Sequence, residues 1–355
     1  MSLQPEGGTF VTGSTWLRSE ALEKPYFRFE LGDACIHVLP EGIFTADPKG
    51  IFGDSGLLDP GSADAEVARS QHLKADGSLA DKFMFGSMLV QVDGKNVLLD
   101  TGLGEVEPPQ SLPIGSDGSR RSPHRLPDTM QQYANVEPGD VDFVIHSHLH
   151  PDHIGWNVRY PPGGPSGQPV ATFESAEHVI QRAEWSWPAK HFACPWRDQW
   201  ELKCKPLEPR GMVKLLDGDT VFLPSVSIVT TFGHTPGHQC VRIESRGQVA
   251  FYIGDALHTV PQITWPEFSP IFDCCRWPLA KARGTERPAM ATDASVEARR
   301  ALLRRIHAES AVVLSPHLPF PGIGRLRDIG DGRFAWLPVE MLTEELNPAK
   351  RQKTG

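Results

Sequence analysis

Six consecutive residues constrain this chain more than any other stretch. His148-Leu149-His150-Pro151-Asp152-His153 spells H-x-H-x-D-H, and imidazoles and carboxylates are the ligands that zinc and similar divalent ions take. On an extended backbone alternate side chains point the same way, so His148 and His150 can converge on one ion. Asp152 and His153 follow as the chain turns and can reach a second. Three further candidates lie downstream: His234 in Gly233-His234-Thr235-Pro236-Gly237-His238, Asp255 in Ile253-Gly254-Asp255, and His317 in Ser315-Pro316-His317. Five histidines and two aspartates suffice for two divalent metal ions that share a carboxylate. Such a pair, roughly 3.5–4 Å apart, can hold a hydroxide and polarise a substrate oxygen.

What precedes each candidate matters as much. Val141–Ile145, Val226–Thr231, Val249–Ile253 and Ala311–Leu314 are short runs rich in β-branched or aromatic residues, which read as buried strands. Every candidate ligand thus falls just past the C-terminal end of a strand, where sheets of this kind place their sites. His146 and His238 lie beside ligands and are expected to pack or to hydrogen-bond a neighbour rather than to bind metal.

These motifs resemble the metallo-β-lactamase superfamily of hydrolases over roughly residues 80 to 340, and Leu98-Leu99-Asp100-Thr101-Gly102 is similar to that family's early strand-and-turn motif. The resemblance implies an α/β fold, a four-layer αββα sandwich with two mixed sheets face to face, helices outside, and a dinuclear site at one edge. It implies that His148, His150 and His234 hold the first ion, that Asp152, His153 and His317 hold the second, and that Asp255 bridges them. A hydroxide between the ions would attack, and Asp152 would also pass a proton to the leaving group. Zinc is the expected metal, although manganese, iron and cobalt suit the same donors.

Within the superfamily, several branches fit poorly. True β-lactamases lack a bridging aspartate at the place of Asp255, and the di-iron flavoproteins carry glutamate where this chain has His150. The stretch after His317 is rich in Gly and Pro, unlike the helical domain of glyoxalase II. Two stretches point elsewhere. Gly233-His234-Thr235-Pro236-Gly237-His238-Gln239 resembles the motif of N-acyl homoserine lactonases, and Ser315–Gly324 is similar to the tail of methyl parathion hydrolase. The resemblance therefore implies a lactonase or esterase acting on a small apolar substrate, with an organophosphate phosphotriesterase as the alternative. A non-catalytic metal-binding protein of the same fold is a weaker one. In such lactonases a tyrosine three residues after the bridging aspartate holds the substrate carbonyl. Here that place is His258, which can donate a hydrogen bond in the same way. Trp156, Phe192, Trp265, Phe268 and Phe272 flank the ligands in sequence and are candidates for an apolar pocket wall.

The net charge of −9 argues against a nucleic-acid partner. The N-terminus has neither the basic start nor the apolar core of a secretory signal, and no stretch approaches a membrane span, so a cytoplasmic enzyme is expected. The six cysteines show no framework and read as reduced thiols. Residues 1–30 read as a polar extension that by analogy with parathion hydrolase-like proteins supports a homodimer, 31–345 as one hydrolase domain, and 346–355 as a polar tail. A hairpin is expected over 83–100, turning at Asp93-Gly94. Loops are expected over 108–127 and 157–169. Ser175–Trp185 reads as a helix capped by Ser175. Asp293–Glu309 reads as a helix with Val296, Leu302, Leu303 and Ile306 inward and Arg299, Arg300, Arg304 and Arg305 largely outward.

Overall fold

A computed structural model describes residues 17–20, 26–52, 63–104, 125–160, 167–190, 197–270, 273 and 289–340. Its first sheet contains β1 (Leu17–Glu20), β2 (Phe27–Leu31), β3 (Ala34–Ala46), β4 (Phe83–Val92), β5 (Lys95–Leu99) and β6 (Phe143–Ile145). A two-stranded ribbon follows, β7 (Val158–Arg159) with β8 (Val170–Ala171); β9 (Glu177–Gln181) and β10 (Val213–Leu216) then complete the first sheet. The second sheet is β11 (Thr220–Leu223), β12 (Val226–Thr230), β13 (Gln239–Ser245), β14 (Gln248–Tyr252), β15 (Val312–Leu314), β16 (Ile323–Gly330) and β17 (Arg333–Pro338), paired in that order. Both sheets are mixed: β5, β6, β9 and β10 run parallel in the first, and β14 and β15 in the second.

The two sheets pack face to face because alternate residues of each are apolar. Ile36, Val38, Met88, Val90, Val97, Leu99 and Ile145 from one meet Val226, Ile228, Val241, Ile243, Tyr252 and Leu314 from the other in one buried cluster. The outer face of the second sheet buries Phe251, Ile253 and Val313 against Leu302, Leu303 and Ile306 of the helix Ala289–Ala308. The outer face of the first buries Leu39, Leu89, Leu98 and Val144 against Leu126 and Met130. These four layers are the αββα sandwich expected.

The hairpin forms as expected, with Asp93 (φ 53°) and Gly94 (φ 69°) both left-handed at its two-residue turn. Three expectations need correction. Residues 175–185 are not one helix: Glu177–Gln181 is β9, filling the slot between β6 and β10, and helix begins only at Arg182. Val179 and Ile180 suit that buried slot, and tertiary pairing overrides the local helical pattern. Residues 17–20 and 27–30, expected within a polar extension, pair antiparallel with β3 and so belong to the first sheet. Arg299 does not face solvent but is 1 % exposed.

The expected loop at 108–127 lies mostly outside the described residues, and that at 157–169 holds β7. Cys35, Cys204 and Cys240 are free thiols; Cys194, Cys274 and Cys275 lie outside the described residues. No helix among the described residues is long and apolar enough to cross a membrane.

Candidate metal centre

The strands expected ahead of the ligands all form, and each delivers its residues to the same sheet edge. After β6 the chain runs out through His146–His150 and turns into the short helix Pro151–Ile154, which has His150 as its N-cap and Pro151 at its first position. His234 follows β12, Asp255 follows β14 and His317 follows β15. Seven side chains from four segments gather as two groups of four that share Asp255.

In the first group, His234 Nε2 lies 3.2 Å from His148 Nε2, 2.9 Å from His150 Nδ1 and 3.3 Å from Asp255 Oδ2. In the second, Asp255 Oδ1 lies 3.0 Å from His153 Nε2 and 2.9 Å from His317 Nε2, which are themselves 3.3 Å apart. Asp152 Oδ2 completes that group, 3.4 Å from His153 Nε2 and 3.6 Å from His317 Nε2. Asp255 thus offers one oxygen to each side.

The arrangement fits a divalent ion in each group. Four donors held tetrahedrally at the usual Zn–N distance of about 2.0–2.1 Å stand about 3.3 Å from one another, and the separations above lie close to that. The chemistry of the donors agrees: imidazole nitrogens converge, edge to edge, on a carboxylate. Asp255 Oδ1, although buried, makes no hydrogen bond among the described residues.

Four of the five rings are held from behind, as metal-ligating histidines require. His153 Nδ1 lies 2.8 Å from Asp100 Oδ2, His234 Nδ1 lies 2.8 Å from Asp273 Oδ1, and His317 Nδ1 donates to Met84 O at 2.8 Å. His148 Nδ1 lies 3.0 Å from Ser147 Oγ. Asp100 also accepts from Ser147 N, Ser147 Oγ and Tyr252 OH. Buried Glu184 accepts from Leu149 N and Gly237 N, tying the loop of His148 and His150 to that of His234.

Burial and charge work against each other in the site. Burial pushes His148 and His150 well below the usual imidazole range. Burial also opposes the charged form of His153, yet the carboxylates of Asp255, Asp152 and Asp100 hold it well above that range. His234 rises to about 9 against its burial because Asp255 and Asp273 face it. Divalent cations would displace those protons, so metal uptake should release them.

The neighbours of the ligands divide. His238, expected to hydrogen-bond rather than ligate, accepts from Asp255 N at 3.0 Å and pairs with Thr231 Oγ1 at 2.7 Å. His146 stacks on His178, with Nε2 3.1 Å from His178 Nδ1. His258 Nε2 lies 3.0 Å from Asp255 Oδ2, and the ring stacks on that of His317.

Of the candidate pocket-wall residues, the three that are described pack in buried clusters. Trp156 is 1 % exposed, packs in the outer core of the first sheet and donates from Nε1 to Glu41 Oε1. Trp265 and Phe268 are buried with Phe44, Phe52, Phe83 and Phe85. Phe192 and Phe272 lie outside the described residues. Among the described residues, Phe83 and Phe85 flank the ligands, with centroids 4.7 and 5.1 Å from that of His317. They begin β4, and position alone did not distinguish them from ordinary core. Glu184, Asp273 and Glu41 were also missed.

Fold and donor set together define an αββα sandwich with a paired His/Asp centre at its sheet edge. The family profile described as "Metallo-beta-lactamase superfamily" matches residues 87–317, well over half of the chain, and the chain belongs to that superfamily. It is similar to an N-acyl homoserine lactonase of Bacillus cereus, 32% identical over 117 residues that make up 33% of this chain and 38% of that protein. It is also similar to N-acyl homoserine lactonase AttM of Agrobacterium fabrum (strain C58), 29% identical over 37% of this chain and 46% of that one. The chain thus spans less than half the length of the curated relatives it matches. Among solved structures, the hydrolase AbOPH of the beta lactamase superfamily matches with a TM-score of 0.66 at 20% identity, covering 90% of this chain and 98% of that chain. AidC, a dizinc quorum-quenching lactonase in complex with a product, matches with a TM-score of 0.65 at 19% identity, covering 88% and 97%. At these identities both likenesses concern the fold.

Proposed function

We propose that the protein is a dinuclear metal-dependent hydrolase of lactones, with N-acyl homoserine lactones as the first substrate class and other small apolar esters as the second. The observation that carries this reading is the pair of donor groups joined at Asp255. The lactonase names of the relatives support the choice of substrate class. A phosphotriesterase is not favoured.

His148, His150 and His234 would hold one ion, Asp152, His153 and His317 the other, and Asp255 both. The ions, zinc first, would supply an activated water and Lewis-acid polarisation of the substrate carbonyl. The chain's own residues do the rest. Asp100 and Asp273 keep the ring protons of His153 and His234 on Nδ1, so that each Nε2 faces its group. His258 sits beside Asp255 and orients its Oδ2. The side chain of Asp152 is 21 % exposed, against 3 % for Asp255, so among the carboxylates of the centre it can exchange a proton with a substrate. Lactone opening joins water oxygen to the carbonyl carbon and breaks the ring C–O bond, and Asp152 would take up the proton that the attacking water loses and deliver it to the leaving alkoxide. A homodimer in the cytoplasm completes the proposal.

Initial rates on zinc-, manganese- and cobalt-loaded protein test it. The panel sets acyl homoserine lactones and simple γ- and δ-lactones against aryl esters and a methyl phosphotriester. A lactone class that exceeds the others by orders of magnitude in kcat/KM supports the reading. Uniformly low rates, or a phosphotriester preferred, overturn the substrate class, and full activity with both metals removed overturns the mechanism.

A further inference from the structure

Buried arginine is costly unless every part of it is paired, because a guanidinium loses its hydration on entering a core. Arg299, 1 % exposed, spends its fork on several groups near one place. Nε donates to Ala256 O at 2.8 Å, Nη1 donates to Pro266 O, and Nη2 reaches Ser295 Oγ at 3.2 Å and Asp273 Oδ2 at 3.4 Å. Ala256 directly follows the shared Asp255. Asp273, also 1 % exposed, accepts from Ser295 Oγ at 2.7 Å through Oδ2 and from His234 through Oδ1. One cation therefore braces both the backbone behind Asp255 and the carboxylate behind His234. There is little room for this to slip: a Cβ on Gly233 would lie 2.6 Å from Ser295 Cα, so the segment carrying His234 sits directly on the helix.

The two histidines of the second group rest on other supports. His153 leans on Asp100, and His317 on Met84 O. From this division we propose that Asp273 and Arg299 form a buried charged strut that positions the first donor group, so that its loss weakens binding of the first ion, reached through both His234 and Asp255, far more than that of the second, reached through Asp255 alone. Both are positioning residues: they act through His234 and Asp255. The inference rests on the metal reading above and deepens it.

The test uses full-length protein stripped by a chelator and titrated with zinc against a chromophoric competitor. Metal content is checked by mass spectrometry. Wild type, Asp273→Asn and Arg299→Lys are compared, alone and combined with His317→Ala, which disables the second group and shows which ion is affected. Asn keeps the shape of Asp273 without its charge, and Lys keeps the charge of Arg299 without the planar fork. Loss of an outer hydrogen-bond partner costs about 10–100-fold in metal affinity. The expectation is a fall of that size for the first ion and a change of less than about threefold for the second. Unchanged affinities, or an equal fall in both, would overturn the strut; an equal fall is what a merely structural role would give. If the wild type takes up fewer than two ions, the metal reading fails instead. Should Arg299→Lys not fold, isosteric Asp273→Asn decides alone.

Discussion

Asp100→Asn isolates a hydrogen-bond polarity at the second group. Asp100 is fully buried and has φ 58°, a left-handed backbone that Asn adopts at least as readily, so the substitution adds no backbone strain. Its Oδ1 accepts from Ser147 N at 2.7 Å, and its Oδ2 meets Ser147 Oγ, His153 Nδ1 and Tyr252 OH at 2.7, 2.8 and 2.8 Å. An amide placed with Nδ2 toward the three side chains can be met by the two hydroxyls, which rotate and accept. His153 Nδ1 can accept only if its proton moves to Nε2, the atom that faces Asp255 and His317. The opposite flip sets Nδ2 against Ser147 N, donor against donor. Either way one charge-assisted hydrogen bond is lost, worth about 1.5–3 kcal/mol, or about 10–100-fold in the affinity of the second ion. Thermal unfolding with and without metal reads this. At a free metal concentration 100-fold above Kd, binding stabilises by about 2.7 kcal/mol, and a 100-fold weaker Kd leaves about 0.4. The metal-dependent gain in Tm should therefore shrink by about 3 °C for a chain of this length. A gain within about 1 °C of wild type, with unchanged affinities in chelator competition, would refute the reasoning.

Other perturbations follow from the same geometry. Asp255→Ala removes the donor common to both groups, so metal content should fall toward zero and hydrolysis with it; retained metal and rate would contradict the bridging role. Burial pushes Glu41 up to about 7 although Trp156 Nε1 and Leu103 N donate to it. Its folded pKa thus exceeds the unfolded one of about 4.3, the folded state binds the extra proton, and stability should fall as pH rises between those values and then level off. Glu41→Gln should flatten that slope in denaturant unfolding; an unaltered slope would assign it to other groups. Trp156→Phe leaves Glu41 short of a donor and should cost about 1–3 kcal/mol, with kcat/KM nearly unchanged. A large loss of activity without loss of stability would restore Trp156 to the pocket wall.

The legible part of this chain was the part whose signal is local. H-x-H-x-D-H needs only a strand, a turn and a proline-started helix, all encoded within about a dozen residues around it. His234, Asp255 and His317 were found because each follows a β-branched run that could hardly be anything but a buried strand. β9 was misread because Ser175 resembles a cap and the slot that claims Glu177–Gln181 is made by β6 and β10, more than 30 residues to either side. Glu41 carried a usable signal, a lone carboxylate inside an apolar strand, and such a residue must find donors if the strand is buried.

Arg299 and Asp273 show where that reasoning stops and why. On the helix Ala289–Ala308, Arg299 stands three and four positions before Leu302 and Leu303, and seven before Ile306, so spacing puts it on the buried stripe. Charge argued outward and periodicity inward, and periodicity held because a partner waited there. That partner, Asp273, has no pattern of its own: it is a single carboxylate whose role appears only when His234, 39 residues earlier, is brought 2.8 Å from it. Ligands that touch a metal must cluster near strand ends, so their positions recur in sequence. The residues behind them need only reach a ring nitrogen from any element that passes, so nothing in the sequence fixes where they fall. For that reason the two groups, each of four donors, differ in what holds them, and a substitution at a residue that touches neither ion can separate their affinities.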